Sequence, residues 1–280
     1  MDDFREATAL ELIAEGRWRA NVYRDWALWG PAGGYLTALA LRAAGEATTF
    51  NRPISLSCQF LNIAKFEPLE IVVSSLRAGK RSEALRVELI QHERLILSTQ
   101  IWVGNADDAQ DMMQHDYCGA ADIPARETLK TRAELYPDRE MLPFMARMEQ
   151  CPIDPPAEGD LSPREPETLG LFRWAGGLTS NNPFVDGGRI MMFMDTHAWL
   201  ATYAAHPVAG PSPYIAPNLD YYYQFHRPTG EHEWVYMKNR ADLACNSLIA
   251  TQGEIRALNG EMLVRGYAQL LCSRRPEQFK

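Results

Sequence analysis

The sequence predicts an α+β protein in which one antiparallel pattern occurs twice. Three observations predict it. Two long apolar segments each open on a Gly-Gly pair, and each is followed by a set of strand-like runs. Those runs follow one another through short polar turns, which disfavours a parallel βαβ arrangement.

The N-terminal stretch "MDDFREATALELIAEGRW" is acidic and reads as an amphipathic helix. It has neither a basic region nor a cleavage site, so it does not read as a signal peptide. "GPAGGYLTALALRAAGEA" (30–47) is rich in Ala and Leu and long enough for a buried helix. Strands follow at 54–63, at 68–90 as two runs about a polar turn at Ala78 to Arg81, and at 94–104.

Between residues 106 and 167 the composition changes. Eight of the 18 prolines fall between Pro124 and Pro166, which reads as a long linker. A short helix within 132–150 is expected to cover part of the core. The chain thus divides into an N-terminal module (1–105), the linker and a C-terminal module (168–280).

The second module repeats the order. "TLGLFRWAGG" (168–177) reads as its opening strand, and "DGGRIMMFMDTHAWLATYAAH" (186–206) as its helix. "NLDYYYQFHRP" (218–228) is a strand carrying Gln-Phe, as "SLSCQFLN" does in the first half. Strands at 233–243, 247–258 and 261–272 complete the set, with Asn259-Gly260 as the hairpin turn between the last two. Repetition of element order is an internal duplication.

The net charge of −8 and the absence of a Lys/Arg cluster argue against a nucleic-acid partner. No apolar run reaches the roughly 18 residues of a membrane span. Five cysteines at 58, 118, 151, 245 and 272, with no CxxC, fit a reducing cytoplasm better than a disulfide framework or a zinc site. The six histidines form no metal constellation, and no GxSxG elbow is present. "LRAGKRS" lacks the first glycine of a phosphate loop and the Ser/Thr directly after its lysine.

Asp195 stands out. On a helix its neighbours one turn away are Met191, Met192, Ala198 and Trp199, all apolar, with no cation to pair with it. Such an acid has a raised pKa, and it serves as a base if donors stabilise its ionised form. The plainer alternative is a carboxylate that caps a loop or points to solvent at a bend. The matching helix of the first half carries no acid, its first charge being Arg42. Gly33-Gly34 and Gly187-Gly188 present helix-start N–H groups that suit an anion, or simply allow a tight passage from strand to helix. Trp26, Trp29 and Tyr35 flank the first pair, and Tyr221, Tyr223 and Phe225 share a strand face. They line an apolar tunnel or form core.

Four stretches resemble the double-hotdog acyl-CoA thioesterases, relatives of bacterial acyl-CoA thioesterase II. They are Gly33-Gly34, the strand at 52–57, the turn at 76–81, and Phe225-His226-Arg227-Pro228. The resemblance implies a double hotdog, with two antiparallel sheets each wrapped around a long central helix. It implies an acyl-CoA substrate, no cofactor, and a homodimer or larger homo-oligomer. The family's catalytic aspartate falls on Asp195 and its glutamine on Gln269. Its hydroxyl residue falls on Asn218, where threonine is common. Gly33, Gly34, Trp29 and Tyr35 are the expected substrate-binding residues. Asparagine in place of threonine keeps open a non-catalytic acyl-CoA-binding protein. A hotdog dehydratase or hydratase is weaker, because neither Gln nor His stands four residues after Asp195.

Overall fold

A computed structural model of the chain describes residues 3–28, 30–105, 115–119, 121–138, 141–175, 180–210 and 212–275. The first module contains α1 (Phe4–Ala7), β1 (Glu11–Ala14), β2 (Arg17–Ala20), α2 (Gly33–Ala47), β3 (Arg52–Phe60), β4 (Leu69–Ala78), β5 (Ser82–Gln91) and β6 (Arg94–Gly104). After it come α3 (Arg132–Leu135) and β7 (Met148–Pro152). The second module contains β8 (Glu167–Trp174), α4 (Pro183–Ala205), β9 (Tyr214–Ile215), β10 (Asn218–Phe225), β11 (Val235–Cys245), β12 (Leu248–Ala257), β13 (Met262–Leu271) and β14 (Ser273–Arg274).

The two expected sheets are one. Twelve described strands run in the order β1-β2-β4-β5-β6-β3-β10-β13-β12-β11-β8-β7, every pairing antiparallel. The joint is the β3–β10 pair, in which Gln59 faces Asp220 and Ser55 faces Gln224. Each module would otherwise present an open edge there, and pairing the two edges satisfies both rows of backbone groups. Reading outward from the joint, β6, β5, β4 and β2 on one side answer β13, β12, β11 and β8 on the other. This is the duplication seen in the sequence.

Each helix covers its own half-sheet. α2 contacts β3, β4, β5 and β6, and α4 contacts β8, β11, β12 and β3. The helices also pack antiparallel on each other. Gly34 lies against Met191 and Met192, Gly188 against Ala38, and Gly45 against Phe184. A Cβ on Gly34 would stand 2.7 Å from the Met191 carbonyl oxygen, so only glycine permits this approach. α4 is capped by the Asn182 side chain, which accepts from the Phe184 and Val185 amides, with Pro183 opening the first turn.

Two expectations at the edges are corrected. The N-terminal stretch is not one helix: α1 ends at Ala7, and β1 and β2 form a hairpin about Gly16, whose φ is +68°. Trp18 and Ala20 are buried while Arg17 and Arg19 are exposed, a strand alternation. The Pro-rich segment is also more than a connection. Its β7 adds a strand beside β8, and Phe144 is fully buried in the core.

Candidate active site

Asp195 lies midway along α4, is 7% exposed, and sits where both modules meet. Its side chain faces the start of α2: a Cβ on Gly33 would lie 3.1 Å from Asp195 Oδ1 and from Cε1 of Phe60. Two residues of β10 complete the cluster. Asn218 Nδ2 donates to Asp195 Oδ1 at 2.7 Å and to the Tyr221 hydroxyl oxygen at 2.7 Å, and the Tyr221 hydroxyl donates to the same Oδ1. Phe60 meets the Tyr221 ring edge-on at 4.8 Å between centroids.

Asn218 and Tyr221 are three apart, which on a regular strand puts them on opposite faces. A β-bulge between Asn218 and Asp220 shifts the register, so that both reach Asp195. Tyr221 is the residue that sequence reasoning missed as a partner of the acid. Its strand face was legible, but the bulge was not.

Burial pushes the Asp195 carboxyl above its ordinary range, while the Tyr221 hydroxyl and the Gly34 and Gly33 amides pull it back. The positive end of the α2 dipole acts in the same direction as the amides. The Gly-Gly pair, expected to serve an anion, therefore first serves the protein's own carboxylate. Two buried acceptors of the cluster, Asp195 Oδ2 and Asn218 Oδ1, make no hydrogen bond of ordinary geometry among the described residues. Burial drives the Tyr221 hydroxyl well above its ordinary pKa, which keeps it a donor.

Other expected site residues fall elsewhere. Gln269 pairs across the sheet with Asp220 on one side and Ala250 on the other. Its neighbours Ala268 and Leu270 are buried beneath the sheet, and Ala268 pairs with Tyr221. Alternation thus turns Gln269 to the face away from Asp195. Tyr35 is fully buried, donates to the Ala7 carbonyl at 2.7 Å, and stacks on Trp26 with centroids 5.8 Å apart. It belongs to the core. Trp29 lies outside the described residues. His197 points away from Asp195, its Nδ1 within 2.7 Å of Thr196 Oγ1 and 3.1 Å of the Phe193 carbonyl, and burial lowers its pKa to about 4. Among the described residues no group of three His, Cys, Asp or Glu is placed to hold a metal ion, and no helix is long and apolar enough to cross a membrane.

The duplication supplies an internal control. Gly187 stands in α4 as Gly33 stands in α2, and each faces the phenylalanine of its own Gln-Phe pair. A Cβ on Gly33 would meet Phe60 Cε1 and Asp195 Oδ1, both at 3.1 Å; one on Gly187 would meet Phe225 Cε1 at 3.4 Å and Leu41 Cδ1 at 3.7 Å. Pro53, seven residues before Phe60 as Asn218 is before Phe225, lies 3.5 Å from that same point. Leu56 holds the position of Tyr221. Among the described residues, the second place is lined by Leu41, Pro53 and Phe225, where the first has Asp195 and Asn218.

Residues 22–104 match the acyl-CoA thioesterase N-terminal domain. In fold the whole chain is similar to a hot dog fold protein from Alicyclobacillus acidocaldarius, at 16% identity and TM-score 0.80 over 98% of both chains. It is similar to acyl-CoA thioesterase II of Mycobacterium marinum, at 19% identity and TM-score 0.77 over 99% of this chain and 100% of that one. The tesB protein of Mycobacterium avium subs paratuberculosis gives 17% identity and TM-score 0.78 over 97% and 98%. No curated protein matches the chain in sequence.

Proposed function

We propose that this chain, whose residues 22–104 match the acyl-CoA thioesterase N-terminal domain and whose fold follows acyl-CoA thioesterase II, hydrolyses an acyl-CoA thioester. One observation carries the reading: a buried carboxylate held by an amide, a phenol and a helix N-terminus, with two acceptor oxygens left over. A water donating to Asp195 Oδ2 and Asn218 Oδ1 is fixed by both hydrogens, and its lone pair is free to attack. Asp195 takes one proton as the water oxygen bonds to the thioester carbonyl carbon. Negative charge builds on the carbonyl oxygen, where the positive end of α2 stabilises it. The tetrahedral intermediate collapses by breaking the C–S bond, releasing CoA thiolate and the free acid.

In this reading Tyr221 takes the supporting role that the resemblance gave to Gln269. The cytoplasm remains the proposed location and a homodimer or larger assembly the proposed state. Steady-state hydrolysis of a panel of acyl-CoAs by wild type and Asp195→Asn tests the proposal. Loss of a hundredfold or more in kcat is expected, and full activity in the variant refutes it. The placement of Gln269 away from the acid favours a second reading, an acyl-CoA-binding protein without turnover. Calorimetric binding of acyl-CoA with no release of free thiol by wild type selects that one.

A further inference from the structure

The two central helices differ in length, and the difference opens a pocket. α4 has 23 residues and α2 has 15. The contacts of Gly34 with Met191 and Met192, and of Gly188 with Ala38, set their antiparallel alignment. α2 therefore begins level with Asp195, and the last turns of α4 extend beyond it. A cavity of about 390 Å³ lies along those turns. Trp199 and Thr202 line it from α4, Val208 from the connection after α4, Tyr214 from β9, and Leu248 and Ile249 from β12.

The residues lining this cavity lie near the acid along two directions. On α4, Trp199 and Thr202 are four and seven residues past Asp195, on one helix face. Across the sheet, Ile249 pairs with Leu270 and Leu270 pairs with Asn218, so two strand spacings, ~10 Å, separate Ile249 from Asn218. The lining is mainly hydrocarbon and aromatic. The Thr202 hydroxyl is buried and makes no hydrogen bond among the described residues.

We propose that this pocket receives the acyl group, and that the substrates are medium-chain acyl thioesters of roughly eight to twelve carbons. The inference rests on the thioesterase reading for the position of the carbonyl. Thr202 lies about 10 Å along the helix axis from Asp195. At the ~30 Å³ that a water-sized group takes up in a liquid, the pocket holds on the order of a dozen such groups. A chain with its carbonyl at Asp195 passes Trp199 and fills the pocket. A longer one leaves its last carbons in water and gains nothing from them.

Non-hydrolysable S-alkyl-CoA thioethers bearing ethyl, hexyl, decyl and hexadecyl chains test this by calorimetry. Affinity is expected to rise about fourfold per methylene within the pocket and to level off near decyl. Leu248→Trp, at the half-buried rim, is expected to weaken S-decyl-CoA at least tenfold and to leave S-ethyl-CoA unchanged. Equal loss for both chains, or none for either, overturns the proposal. If that variant does not fold by circular dichroism, Thr202→Val decides, with tighter S-decyl-CoA expected and unchanged binding overturning it. Thioethers need no turnover, so the two readings fail separately. Chain-length selection without hydrolysis of the matching thioesters sinks the thioesterase reading and keeps the pocket, whereas hydrolysis without chain-length selection sinks the pocket alone.

Discussion

Replacing Tyr221 by phenylalanine removes one oxygen from the site and leaves its shape. The lost hydroxyl donates to Asp195 Oδ1 and accepts from Asn218 Nδ2. A hydrogen bond to a charged group contributes about 1.5–3 kcal/mol, and one pKa unit corresponds to about 1.36 kcal/mol. The hydroxyl favours the ionised carboxylate, so its removal raises the Asp195 pKa. A base that must be ionised is then protonated over a wider range. The acid limb of kcat/KM against pH should therefore move up by roughly one to two pH units. Above the new limb, activity should return close to that of wild type. The assay is thioester hydrolysis, with released thiol measured from pH 4 to pH 9. A limb that stays in place, moves to lower pH, or gives way to uniform loss at every pH refutes the argument that Tyr221 acts through the charge of Asp195.

Asp195→Asn should inactivate the protein and also stabilise it at pH 7, by about 0.5–2 kcal/mol, because a buried charge disappears. The folded pKa of Asp195 is raised above 3.8, so the cost of its charge is absent below that pH and grows as pH rises through the folded value. The gain in melting temperature should accordingly shrink toward pH 4, and a variant less stable than wild type at pH 7 contradicts the reasoning. Gly34→Ala places a methyl 2.7 Å from the Met191 carbonyl oxygen and 2.9 Å from Met192 Cα, both backbone atoms. About 1–3 kcal/mol of stability should be lost in urea titrations, and an unchanged midpoint disproves the close helix contact. Arg189→Met leaves Asp186 buried without its 2.8 Å partner and should cost about 3–5 kcal/mol at pH 7. Tolerance of that change, read from denaturant midpoints, shows the pair to be dispensable.

Asp195 was legible because a charge in an apolar helical run has few places to go. The two helices and the strands that follow them were legible because period and turn chemistry agree along each segment. The N-terminal hairpin was not, since a stretch of eighteen residues with mixed polarity fits either period until Gly16 turns the chain. The β3–β10 joint lies outside local pattern altogether, since it pairs segments about 160 residues apart. Gln269 shows a different limit. The resemblance pointed to a residue of β13, but its face follows from phase, and buried Ala268 and Leu270 on either side already place Gln269 on the other face. Tyr221 needed the bulge, which no residue pattern announces.

The joint between β3 and β10 also bears on inheritance. Two separate copies meeting by that edge would be forced to carry the same residue at both ends of the dyad, since one gene would encode both. Joined in a single chain, each copy mutates by itself. Asp195 and Leu41 then answer to different demands, one holding a buried carboxylate and the other giving the equivalent position to hydrocarbon. A single chain thus lets the two halves differ at equivalent positions, one apolar and one carrying a buried acid.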